Sequence, residues 1–135
     1  MVEGDHTLEC GIRAMQSLLS LPKRPSAVLC SNDMTALGVM HKCHQQGLSI
    51  PQDLSLVGFD DIKLAQFFLP PLTTVRMSQS ELAHIAFQAL MAELKREKPS
   101  KEGTEYRIET SLVLRETTAV RKGKTPRRIR LVDAH

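Results

Sequence analysis

The chain has 135 residues, 41% hydrophobic and 24% charged, which suits one soluble globular domain of ordinary size. No apolar run approaches the length of a membrane span and no basic-then-apolar leader opens the sequence, so a cytoplasmic protein is expected. An odd count of three cysteines (Cys10, Cys30, Cys43) without a C-x-x-C pair excludes a disulfide scaffold in favour of buried free thiols, and the lack of Trp argues against a base-stacking surface.

The net charge of +3 is uneven: the stretch 120–135 holds six basic residues and one acid, for +5, and the remainder is −2. The globular part is therefore not a basic nucleic-acid-binding surface. The tail, with little periodicity, is expected to be disordered and solvated.

Thr7 is placed to cap a helix carrying Leu8, Ile12, Met15 and Leu19 on one face, with Glu9 near its positive end. Pro22 and Pro25 close it. Ala27 to Cys30 predicts a short buried strand. A second helix follows, with Asp33 as the expected N-cap, Leu37, Met40 and His44 on a common face, and Gly47 as the stop. Leu54 to Phe59 is a nearly continuous apolar strand, of the kind found in a sheet covered on both sides.

That strand ends in Asp60-Asp61. In an open parallel sheet small ligands bind at the carboxyl ends of strands, so Asp60 would face a crevice and accept hydrogen bonds from hydroxyl or amine groups. The competing role, capping the segment from Ile62, is assigned to Asp61. Asn32 ends the other strand, and its amide offers both donor and acceptor to a ligand hydroxyl.

Further on, Ser78 and Glu81 form a capping box for a helix with Leu82, Ile85, Ala86, Ala89 and Leu90 on one side. Residues 95–103 read as a polar loop. Tyr106 to Arg115 alternates with period two, as a strand does. The order helix, strand, helix, strand indicates an α/β class.

No nucleophile motif, P-loop or dinucleotide fingerprint occurs, and no catalytic residue or cofactor is indicated. His41 and His44 flank Cys43 on a helix, but no third ligand stands at a fixed offset, so a metal site is not expected.

The segment VGFDDIKLAQFFLPPLTTVR (57–76) resembles the signature of the lactose-repressor-like (LacI/GalR) transcription regulators in their effector-binding half. GDHTLECGIRAMQSLL, RPSAVLCSNDMTALGVM and QGLSIPQDLSLVGFDD upstream, and SLVLRETTA downstream, match in the same order, so the resemblance covers roughly Gly4 to Ala119. It implies part of a two-subdomain periplasmic-binding-protein-like fold, a mostly parallel sheet flanked by helices. Residues 4–69 would be most of the C-terminal subdomain. Residues 70–105 would be a crossover and a helix of the N-terminal subdomain, and 106–119 a returning strand. The resemblance makes 1–119 a partial effector-binding domain. The DNA-binding head would lie outside this chain, so that operator DNA is reached only through it.

The resemblance also implies site residues. Asp60 and Asn32 would contact the effector, His6 would stand where relatives often place a stacking aromatic ring, and Asp5 would bond the ligand or the loop. Met77 would line the cleft where relatives sometimes have a polar residue. Two segments would form a homodimer face: Leu37, Met40, His41 and His44, then Phe67, Phe68 and Leu69. A sugar is the expected effector, a purine or nucleoside the alternative. A periplasmic sugar-binding protein of the same architecture is the second hypothesis.

Overall fold

The computed structural model describes residues 1–96 and 103–120. The basic stretch from Arg121 and most of the polar loop expected at 95–103 lie outside the described residues.

The first helix, α1, spans Leu8–Leu19 and begins where Thr7 accepts a hydrogen bond from the Cys10 amide through its hydroxyl. Such a cap is worth about 1 kcal/mol. The second helix, α2, spans Asp33–Gln45. Its stop is the expected one: Gly47 takes a positive φ of 68°, its amide bonds to the His44 carbonyl, and the Leu48 amide bonds to that of Cys43. The start differs from expectation. Asn32, not Asp33, is the cap, accepting from the Thr35 amide at 2.8 Å.

α1 and α2 cross with almost no separation. A Cβ placed on Gly38 would lie 2.0 Å from the Leu8 carbonyl oxygen, and one on Gly11 2.1 Å from that of Thr35. Only glycine permits that approach.

The sheet has the order β1 (Ala27–Leu29), β2 (Ser55–Asp60), β3 (Thr73–Met77), β4 (Thr110–Val113). The first three are parallel, and β4 is antiparallel to β3 with Arg76 opposite Ser111. A 3-10 turn (Lys63–Phe67) follows β2, and helix α3 (Gln79–Leu94) leads away from β3.

Two strands depart from the sequence-based expectation. β1 is not buried: it is the edge of the sheet, and Leu29 is 73% exposed. The alternation from Tyr106 yields only the four residues of β4, because ordered pairing with β3 begins at Thr110. In β2 the side chains alternate between faces. Leu56 and Gly58 are buried, and Val57 and Phe59 opposite are half-exposed, so full cover is met on one face only.

The core joins Met15 of α1, Ala36, Val39, Met40 and Cys43 of α2, Leu56 of β2, and Ala65, Phe68 and Leu72 of the following turn. Each large side chain buried there contributes about 1.5–3 kcal/mol. All three cysteines are free and buried, and burial pushes the Cys30 thiol up to about 12.

Asp33 is fully buried and satisfied. Its oxygens accept from the Thr74 hydroxyl at 2.6 Å and the Ile62 amide at 2.9 Å, tying the head of α2 to the start of β3 and to the segment after β2. The segment after β4 is pinned by Thr117, whose hydroxyl donates to the Leu56 carbonyl and accepts from the Thr73 amide.

Candidate effector site

Parallel strands put their carboxyl ends on one rim, and the helices that follow start there. Four of the candidate residues gather at this rim: Asp60 at the tip of β2, Asn32 beyond β1, His6 in the loop before α1, and Met77 at the tip of β3. Asn32 links two of them directly, its amide nitrogen donating to the His6 carbonyl at 2.9 Å. The His6 ring is held in turn by Ser31, with Oγ 3.0 Å from Nδ1. Sequence reasoning missed Ser31, since its role depends on the His6 loop folding back over the strand tip.

Asp60 differs from its neighbours. Its φ is 106°, and none of the hydrogen bonds among the described residues engages its carboxylate. Burial pushes its carboxyl above the ordinary range, the Asp33 charge adds to this, and His6 opposes it. Left-handed backbone is uncommon for a non-glycine residue and is tolerated best by Asn and Asp. A half-buried carboxylate in such a conformation, lacking a hydrogen-bond partner among the described residues, has acceptor capacity to give to a ligand.

Asp61 does not cap the turn at Ile62, which has no side-chain cap. It accepts instead from Arg76 Nε and Arg115 Nη2, each at 2.6 Å, and its side chain is only 7% exposed. Burial pushes this carboxyl up, but the bonds and charges of Arg115 and Arg76 outweigh burial and leave it below the ordinary range.

Asp5 is turned to other work. It accepts from the Thr7 hydroxyl and amide and pairs with Arg13 at 3.1 Å. The Thr7 bonds, with the Arg13 charge, hold its carboxyl below the usual value.

In the segments expected to form a dimer face, Met40 and Phe68 are instead buried in the core cluster. Leu37 is half-buried; His41, His44, Phe67 (72%) and Leu69 (91%) are exposed.

A cavity of about 490 Å³ lies between residues 1–4, α1 and β1, and is lined by none of Asp60, Asn32, His6 or Met77. The rim is an open surface, one wall rather than a closed pocket. Among the described residues no group of three His, Cys, Asp or Glu could hold a metal, and no helix is long and apolar enough to cross a membrane.

An open α/β half-lobe with polar groups at its strand tips belongs to the periplasmic binding protein-like domains, and that family description matches residues 2–118. The HTH-type transcriptional repressor CytR of Escherichia coli K12 is 45% identical over 94 residues, 70% of this chain and 28% of that protein. The repressor PurR of Escherichia coli O139:H28 is 43% identical over 101 residues, 73% of this chain and 30% of that one. A LacI family regulator from Enterococcus faecium with bound ribose superposes with a TM-score of 0.73 at 28% identity, covering 85% of this chain and 41% of the other. The LacI-type regulator of Bifidobacterium animalis subsp. lactis gives 0.74 at 30%, covering 87% and 41%. The chain belongs to the LacI/GalR family of transcription regulators, as part of their C-terminal domain.

Proposed function

We propose that this chain supplies one wall of the effector cleft of a transcriptional repressor, and that the effector is a ribonucleoside. The observation that carries this is Asp60: a carboxylate without a hydrogen-bond partner among the described residues, in left-handed backbone, on the rim shared with Asn32 and His6. Two carboxylate oxygens match a vicinal diol, such as the ribose 2′ and 3′ hydroxyls. His6 offers a flat ring for the base. Met77 adds an apolar contact that cannot itself fix a hydroxyl.

CytR and PurR point to a nucleoside or purine, and the ribose-bound regulator supports the sugar half of such a ligand. A nucleoside takes the place of a plain sugar as the preferred effector. In the whole protein, ligand closes the cleft, and closure shifts operator affinity only as far as the ligand prefers the closed arrangement. The half-buried Leu37 and the exposed His41, His44, Phe67 and Leu69 are assigned to contact with a second copy. The work is binding, not catalysis, in the cytoplasm.

Titrating the chain with adenosine, cytidine, ribose and sucrose, followed by amide NMR shifts, tests this. Nucleosides should move the signals of residues 6, 32 and 60 at concentrations well below those needed for sucrose, and Asp60→Ala should abolish the response. A nucleoside response that survives Asp60→Ala, or none from any nucleoside, overturns the proposal.

A further inference from the structure

Asp60 and Asp61 are consecutive residues with positive φ, 106° and 52°. Such backbone persists only where the surroundings fix it. Among the described residues no side-chain hydrogen bond reaches Asp60, whereas its neighbour is firmly held. Asp61 is nearly buried, and both of its oxygens are taken.

The two arginines on Asp61 come from different segments of the chain. Arg76 stands on β3, directly opposite Asp60 in the parallel ladder. Arg115 lies just beyond β4 and is anchored several times over. Its Nη1 donates to the Leu72 carbonyl at 2.8 Å, and its backbone amide donates to the Thr73 hydroxyl at 3.0 Å. A charge-assisted bond to a nearly buried carboxylate is among the stronger polar contacts a protein makes. The β3–β4 ribbon is also the only described route from the sheet to α3.

We propose that Asp61 is the positioning residue of the effector site: clamped by Arg76 and Arg115, it holds Asp60 in its left-handed, half-buried pose and joins that pose to the β3–β4 ribbon. The role in ligand binding rests on the reading of Asp60 as the effector carboxylate. The clamp itself does not. A ligand that draws on Asp60 therefore draws on the ribbon through Asp61, over and above the apolar contact of Met77.

The test uses the whole chain with Arg76→Gln, whose side chain is over half exposed, and Arg115→Gln as the second variant. The first readout needs no ligand: the titration of the Asp60 carboxyl followed by carbon NMR. Removing a nearby cation by charge alone raises a carboxyl's titration point; releasing Asp60 into water lowers it. The clamp predicts a fall towards the ordinary value in Arg76→Gln, with Leu56 methyl signals unchanged. A rise, or no change, in both variants overturns it.

The second readout is adenosine affinity. Arg76→Gln should weaken it about tenfold in the wild-type background and leave it unchanged in Asp60→Asn, a non-additivity that a general loss of stability would not give. Additive losses overturn the proposal. If the wild-type chain binds no nucleoside, the effector assignment fails while the Asp60 titration still decides the clamp.

Discussion

Asp60 and Asp61 are adjacent and chemically identical, yet their surroundings drive them in opposite directions. A carboxyl raised above its unfolded value, as Asp60 is by burial and by Asp33, binds protons more readily when folded. Its contribution to stability is full below the ordinary value of 3.8 and is lost as pH rises through the folded value. At neutral pH the charge is thus a cost. Asp60→Asn, which keeps the side chain's shape and its tolerance of positive φ, should raise the melting temperature at pH 7. The gain should vanish below about pH 3.8, where the wild-type carboxyl is itself neutral. Melting curves from pH 3 to 8 would show it, and an equal or lower melting temperature for the variant at pH 7 would remove the case for a strained site. Asp61 has the other sign. Lowered by its arginines, it supports the fold above 3.8 and loses that support as pH falls through its folded value. A function that needs an uncommitted carboxylate explains why the costly residue is there.

The elements show where sequence alone suffices and where it stops. Thr7, Gly47 and Ser78 act on partners within a few residues, and each did the task its spacing indicates. Asp60 and Asn32 were legible as strand tips for the same local reason. Asp61 was not, because its partner Arg115 is 54 residues away and no local rule foretells that pairing. Asn32 took the cap expected of Asp33 because Asp33 is drawn inward by Thr74, 41 residues on. The exposure of β1 follows from strand order, which periodicity does not encode. The close crossing of α1 and α2 is likewise a property of two elements together. Gly38→Ala would improve helix propensity in an isolated helix by about 1 kcal/mol. Here the added methyl meets the Leu8 carbonyl, a backbone atom that cannot rotate aside. The helices must separate, so the variant should be destabilised by about 1–3 kcal/mol in urea unfolding. A neutral or stabilising result would mean that the crossing is looser than described. Because the His6 loop starts α1 and Asn32 starts α2, the same variant should also disturb the rim.

For the molecule as a whole, α3 decides how the chain behaves in solution. None of its residues is buried, and Leu82, Phe87, Leu90 and Leu94 all stand open to water. A 16-residue helix without packing is marginal, since helices of this length gain most of their stability from a buried face. Each large apolar side chain left in water forgoes about 1.5–3 kcal/mol. Two outcomes relieve this: fraying, or cover by a second molecule. They differ in concentration dependence. In dilute solution α3 amides should exchange with deuterium orders of magnitude faster than those of Leu56 and Val57 in β2, because local opening costs far less than global unfolding. As concentration rises, protection along α3 should grow if self-association covers it, while that of β2 stays constant. Leu90→Asp should abolish the rise. Leu69→Asp, on the separate patch beside the 3-10 turn, should leave it intact. Slow exchange along α3 at the lowest concentration would contradict both outcomes, since it would require the helix to be covered within a single chain.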